Sequence, residues 1–161
     1  MPTKSTWLAY NKHTGDVCFL TNFRTPDNQL QTNKTYSSRG FLVAEYVKIR
    51  DLSIDEKKKQ FSTVEEYEGN LKTIITRGFN IVYGNAFSRE FKYFQFKNSA
   101  NRDMLEPLHL DQDKVYGMSN GGLDEWDKVC RGKEAFSEVV DLGEAAVVGG
   151  EALDKVMPQM N

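Results

Sequence analysis

The chain has 161 residues, of which 39% are hydrophobic, 27% charged and 12% aromatic. That is the profile of one soluble globular domain and too little chain for two full ones. Lys and Arg number 21 against 23 Asp and Glu, a net charge of -2, so no positive excess draws the molecule to nucleic acid or anionic lipid. The only cysteines, Cys18 and Cys130, have neither metal-site nor redox spacing, which fits a reducing, cytoplasmic setting. No segment approaches the ~20 apolar residues of a membrane span, and the N-terminal residues carry no signal-peptide core. Without export, the sequon Asn33-Lys34-Thr35 is a chance match.

Thr6 to Tyr10 and Val17 to Leu20 are rich in β-branched and aromatic residues and flank a turn in which Gly15 can take a positive φ, so they predict a β-hairpin. Phe23 to Ser38 is polar, contains Pro26, Asp27 and Asn28, and reads as a long surface connection. From Arg39 to about Arg50 the residues Leu42, Val43, Tyr46, Val47 and Ile49 recur at helical spacing and predict one helix with one buried stripe. Ser53 to Gln60, with Asp55-Glu56 before Lys57-Lys58-Lys59, reads as a solvated helical face. Ser62 and Glu65 have capping-box spacing, and Val64, Tyr67, Leu71, Ile74 and Ile75 share a helical face that Gly78 closes.

Phe79 to Tyr83 and Phe91 to Lys97 predict strands joined through Gly84 to Ser88, and Lys114 to Met118 predicts another. Phe91, Tyr93, Phe94 and Phe96 interleave with Lys92 and Lys97. Bases could stack there, but the alternation changes phase between Tyr93 and Phe94, as in a strand buried between two layers. After Gly121-Gly122 and Trp126, a helix carries Val129, Ala135, Phe136, Val139 and Val140, and a tail starts at Gly143 with a short segment around Leu153 and Val156. Strands, then helices, then strands predict an α+β layered domain over residues 1–161.

Several chemistries are missing. There is no phosphate-binding GxxxxGK[ST], no GxGxxG and no GxSxG, so Ser119 reads as a turn residue. His13 and His109 belong to no metal motif, no metal site is expected, and non-covalent haem ligation would leave no signature. Three polar clusters lie at strand ends, where side chains can converge: Thr21-Asn22-Phe23-Arg24, Ser38-Arg39-Gly40 and Ser119-Asn120. Asn can donate to a developing oxyanion, and Arg can bind a carboxylate or phosphate bidentately. The set could therefore serve acyl chemistry or bind an anionic ligand, with Arg24, Arg39 and Ser119 as candidate ligand-binding residues. Each also has a purely structural reading as a turn or helix-start residue.

These same segments resemble the NRDE family. The likeness rests on Thr6-Trp7-Leu8, Leu20-Thr21-Asn22-Phe23-Arg24, Ser38-Arg39-Gly40-Phe41-Leu42-Val43, Gly78-Phe79-Asn80-Ile81-Val82 and Tyr116-Gly117-Met118-Ser119-Asn120, followed by Leu123, Trp126 and Phe136. The resemblance implies an αββα sandwich like that of N-terminal-nucleophile hydrolases, with Asn22 and Asn120 near the oxyanion. It also implies a role in Golgi organisation, secretory traffic and lipid or haem handling, with Golgi or mitochondrial association. The family pattern opens with Met-Cys and an Asn-Arg-Asp-Glu tetrapeptide, whereas Met1-Pro2-Thr3-Lys4-Ser5 lead straight into Thr6 here. Asn101-Arg102-Asp103 falls late and is followed by Met104. The expectation is a partial, non-catalytic family domain, incomplete at both ends, with no cofactor beyond haem by resemblance and a small anionic or lipid-like ligand. A Cys amidohydrolase with its start upstream is the alternative, and a nucleic-acid or protein-binding module using Phe91 to Lys97 is a third.

Overall fold

The computed structural model describes residues 6–23, 38–74, 76–97 and 106–149, with side chains of the last helix described through residue 140. Most of the predicted 23–38 connection, Arg24, the sequon, Ile75, Asn101-Arg102-Asp103 and the segment around Leu153 and Val156 lie outside the described residues.

The predicted hairpin forms as β1 (Leu8–Tyr10) and β2 (Asp16–Asn22), with Gly15 at φ 78°. Next come α1 (Gly40–Tyr46), α2 (Val64–Thr73), β3 (Phe79–Asn85), β4 (Glu90–Phe96), β5 (Leu108–Leu110) and α3 (Asp127–Gly149). The strands form one antiparallel sheet in the order β1-β2-β3-β4-β5, so every sheet neighbour is also a chain neighbour. The α+β expectation therefore holds, with α1 and α2 packed on one face of a single sheet.

Alternation decides which face meets the helices. Leu20 pairs with Ile81 and Ile81 with Phe94, while Phe79 pairs with Phe96, so these side chains share one face. On it pack Leu42, Val43 and Tyr46 of α1 and Tyr67 and Leu71 of α2, all buried in one core. Tyr46, Tyr67 and Tyr83 meet pairwise with ring centroids 5.2 to 5.5 Å apart in tilted or edge-on geometry, the arrangement that ring quadrupoles favour. Strand β3 is buried on both faces, as the centre of the sheet.

Several boundaries differ from expectation. The first helix stops at Tyr46 rather than near Arg50, because Lys48 and Ile49 donate to carbonyls three residues back and the chain tightens into turns. The charged 53–60 stretch forms only a 3-10 turn at Glu56–Lys58, so it has no helical face to solvate. The second helix is capped by Thr63, not Ser62: the Thr63 hydroxyl accepts from Glu66 N, and Ser62 N donates to the Glu66 carboxylate at 2.8 Å. It ends at Thr73, before Gly78, whose carbonyl instead accepts from Phe23 N at 3.0 Å. Lys114 to Met118 is not a strand; the short β5 beside Pro107 takes the edge position. The third helix runs through Gly143 to Gly149, where the sequence had placed a tail. Tyr93, Phe94 and Phe96 are buried, which removes base stacking on that strand.

Candidate functional site

Asn80 is the polar centre of the molecule. It is fully buried near the start of β3, on the face away from α1 and α2. Its amide donates to the carbonyls of Ser119 at 3.0 Å and Gly121 at 2.7 Å, and its oxygen accepts from the Tyr93 hydroxyl at 2.8 Å and the Gln95 amide at 3.0 Å. Thr21 donates to the same Ser119 carbonyl at 2.6 Å. A row of polar side chains across three strands thus holds the 117–126 segment on the sheet and satisfies carbonyls that burial would otherwise orphan.

That segment is also braced from within. Asp124, at φ 56°, accepts from Gly117 N at 2.7 Å and from the Lys133 ammonium at 2.6 Å, tying the turn to the first turns of α3. Gly122 N donates to the Glu125 carboxylate. The Trp126 ring lies so close to Gly121 that a Cβ there would meet its Nε1 at 2.1 Å.

The sequence-level candidates fall around this node. Each asparagine is one residue from the Thr21 to Ser119 bond, so the structure brings Asn22 and Asn120 to the same end of the sheet. Alternation turns Asn22 toward the face of Leu20 and Phe79, whereas Ser119 lies over the opposite face. Asn120 is exposed, and Ser119 contributes its carbonyl to the network. The Asn22 oxygen is buried and has no hydrogen-bond partner among the described residues.

Arg39 joins this end through one guanidinium N–H, which donates to the Gly78 carbonyl at 2.7 Å, next to the Phe23 N–H bond to the same oxygen. Burial first, and then the positive charge of Arg77, holds its pKa below the ordinary arginine value. Lys97 sits 5.4 Å over the Phe23 ring. Cationic groups therefore gather where β2 ends.

The thiols are placed differently. Cys18 is buried, 3.9 Å from the Tyr67 hydroxyl, and burial pushes its thiol far up, so it stays protonated and unreactive. Cys130 donates to the Asp124 carbonyl at 3.3 Å. Among the described residues no group of three His, Cys, Asp or Glu gathers to hold a metal. Of the described groups that could ligate haem, His13 and His109 are exposed, and the Cys18 thiol is walled in. No described helix is long and apolar enough to cross a membrane.

Sequence reasoning missed Asn80 and Asp124. A polar residue inside the apolar run Phe79 to Tyr83 was the available signal for the first, since a buried amide needs partners. Nothing local marks the second.

The matched motifs are spread along this same frame. The profile of the Transport and Golgi organisation 2 family (TANGO2) matches residues 1–157. This chain belongs to that family. TANGO2 relatives include the Transport and Golgi organization protein 2 homolog of Bos taurus, 30% identical over 139 residues that cover 86% of this chain and 44% of the relative. The Transport and Golgi organization 2 homolog of Mus musculus is 30% identical over 141 residues, 87% of this chain and 45% of the relative. The chain thus spans about half the length of either TANGO2 relative. No solved structure matches it.

Proposed function

We propose that this chain serves transport and Golgi organisation from the cytoplasm as a non-catalytic TANGO2-family protein, holding a small anionic ligand where β2 ends. The observation that carries this reading is the half-buried Arg39 guanidinium at this end of the sheet, bonded through one N–H to the Gly78 carbonyl, with burial first and the charge of Arg77 second disfavouring its own charge. An anion beside a partly desolvated guanidinium offsets that cost and suits its planar fork. The buried Asn22 oxygen, without a partner among the described residues, adds an acceptor for a ligand hydroxyl or amide. The inert Cys18 thiol supports binding over nucleophilic chemistry.

Two helices, α1 and α2, on one face of an antiparallel sheet are also what half of an αββα sandwich would have, in keeping with a partial domain of the kind the NRDE resemblance implies. Asn120, at the tip of the braced turn, is assigned a ligand-orienting role, and Ser119 a supporting one.

Isothermal titration with octyl phosphate tests the reading. Binding is expected, weakened at least ~10-fold by Arg39→Gln or Asn22→Ala. An unaltered affinity in both folded variants, or no binding up to millimolar concentration, would overturn it.

A further inference from the structure

At the end of the strands away from Asn22, a cavity of about 480 Å³ opens between the helices and the sheet. Asn85 of β3, Glu90 and Lys92 of β4 and His109 of β5 line its strand side, and Arg50, after α1, and Glu65, at the start of α2, line its helical side. Tyr46, Ile49 and Val64 give it an apolar wall. A cavity of this volume, part apolar and with a few polar groups, is the size of a small-molecule site rather than of an ion site.

Two of its charged groups are already bonded. Lys92 donates to the Glu68 carboxylate at 2.7 Å, and the Glu65 carboxylate accepts from its own N–H and from the Thr63 hydroxyl. Two others keep bonding capacity. Arg50, half exposed, makes only a 3.5 Å ion pair with Asp16 among the described residues, and Glu90 accepts only a 3.3 Å bond from Ser88 among them. Asp16, Asn85 and Glu90 stand in register across β2, β3 and β4, so Glu90 is two strands, roughly 10 Å, from the partner of Arg50. The ammonium and carboxylate of an α-amino acid, with a hydrogen bond of about 3 Å at each end, span about 9 Å. A ligand with one charge would leave either Arg50 or Glu90 unmatched.

The geometry points to a zwitterion of the α-amino-acid class in this cavity, its carboxylate on the Arg50 fork, its ammonium on Glu90 and an apolar side chain against Tyr46, Ile49 and Val64. The site is separate from the one at the end of β2 and does not depend on it.

Titration of the full chain with L-phenylalanine, followed by amide NMR shifts, tests the inference. Saturable shifts are expected at Gly84, Asn85, Glu90 and His109, which line the cavity. Phenethylamine, which lacks the carboxylate, and 3-phenylpropionate, which lacks the ammonium, should each bind at least ~10-fold more weakly. Glu90→Gln, at an exposed position, should remove the advantage of phenylalanine over 3-phenylpropionate and keep its advantage over phenethylamine. Arg50→Gln should do the reverse. Arg50 also faces the buried Asp16, so circular dichroism first checks that this variant folds, and Glu90→Gln decides alone if it does not. No saturable shift up to tens of millimolar, or equally tight binding of either singly charged analogue, would overturn the inference. So would shifts confined to other parts of the chain, or a folded Glu90→Gln protein that keeps both preferences.

Discussion

Thr21 donates its hydroxyl to the Ser119 carbonyl at 2.6 Å, across 98 positions of chain, and so pins the 117–126 segment to the end of β2. Asn80 donates to the same oxygen at 3.0 Å. The two side chains act as one clamp. Asn80→Ala should cost about 3 to 5 kcal/mol, because it leaves the Ser119 and Gly121 carbonyls and the Tyr93 hydroxyl short of partners in the interior. Thr21→Val should cost about 1 kcal/mol. Urea melts of both and of the double variant should show coupling above about 0.5 kcal/mol, since they share an acceptor. Strict additivity would mean that the clamp is not one unit.

The alkaline limb of stability should be steep. Burial raises the pKa of Cys18, Tyr46, Tyr67 and Tyr83, and that of Tyr93 to about 12. These groups stay neutral in the fold while the unfolded chain ionises, so their contribution is whole below the ordinary pKa and is lost as pH rises above it. For Cys18 and Tyr67, the most deeply buried, the loss is about 1.4 kcal/mol per pH unit each, beginning near pH 8.5 for the thiol and pH 10 for the phenol. Unfolding free energies from pH 8 to 11, followed with tyrosinate absorbance, check this. Full tyrosinate signal at pH 11 with undiminished stability would contradict it.

Two glycines should respond in opposite directions to alanine. Gly15 has φ 78°, and a Cβ there would lie 2.6 Å from the Phe87 ring. Gly15→Ala should destabilise by about 1 to 2 kcal/mol. Gly69 is exposed inside α2, and a Cβ added there would meet nothing within 4 Å, so Gly69→Ala should stabilise by about 0.5 to 1 kcal/mol. Thermal melts of the two variants give the signs directly.

The cap of α2 separates local pattern from geometry. Ser62 and Glu65 have the right spacing, yet Thr63 and Glu66 make the bonds. Thr63→Ala should therefore cost about 1 kcal/mol. Ser62→Ala should cost almost nothing, because Ser62 contributes its backbone N–H and not its hydroxyl. Equal losses in chemical denaturation would refute this assignment.

Much of the fold was legible in short-range pattern. The hairpin around Gly15 followed from its turn residues, and the buried stripe of Leu42, Val43 and Tyr46 from helical spacing. The end of α1 was not legible, because Val47 and Ile49 continue the stripe while the chain already turns. The candidate site divides in the same way. Asn22, Arg39, Ser119 and Asn120 stood out as polar residues at strand ends, but their relative placement depends on Thr21 and Asn80 reaching residues far away in the chain.

By itself, then, the sequence determined the α+β class and the main apolar faces, because periodicity and turn chemistry act between near neighbours, and its motifs carried the family resemblance. Only the tertiary structure decided that Asn80 clamps Ser119 and Gly121, that Arg39 bonds Gly78, and that Arg50 and Glu90 line one cavity. Buried polar groups are satisfied by whichever donors and acceptors the folded sheet brings within about 3 Å, and sequence spacing carries no record of that distance.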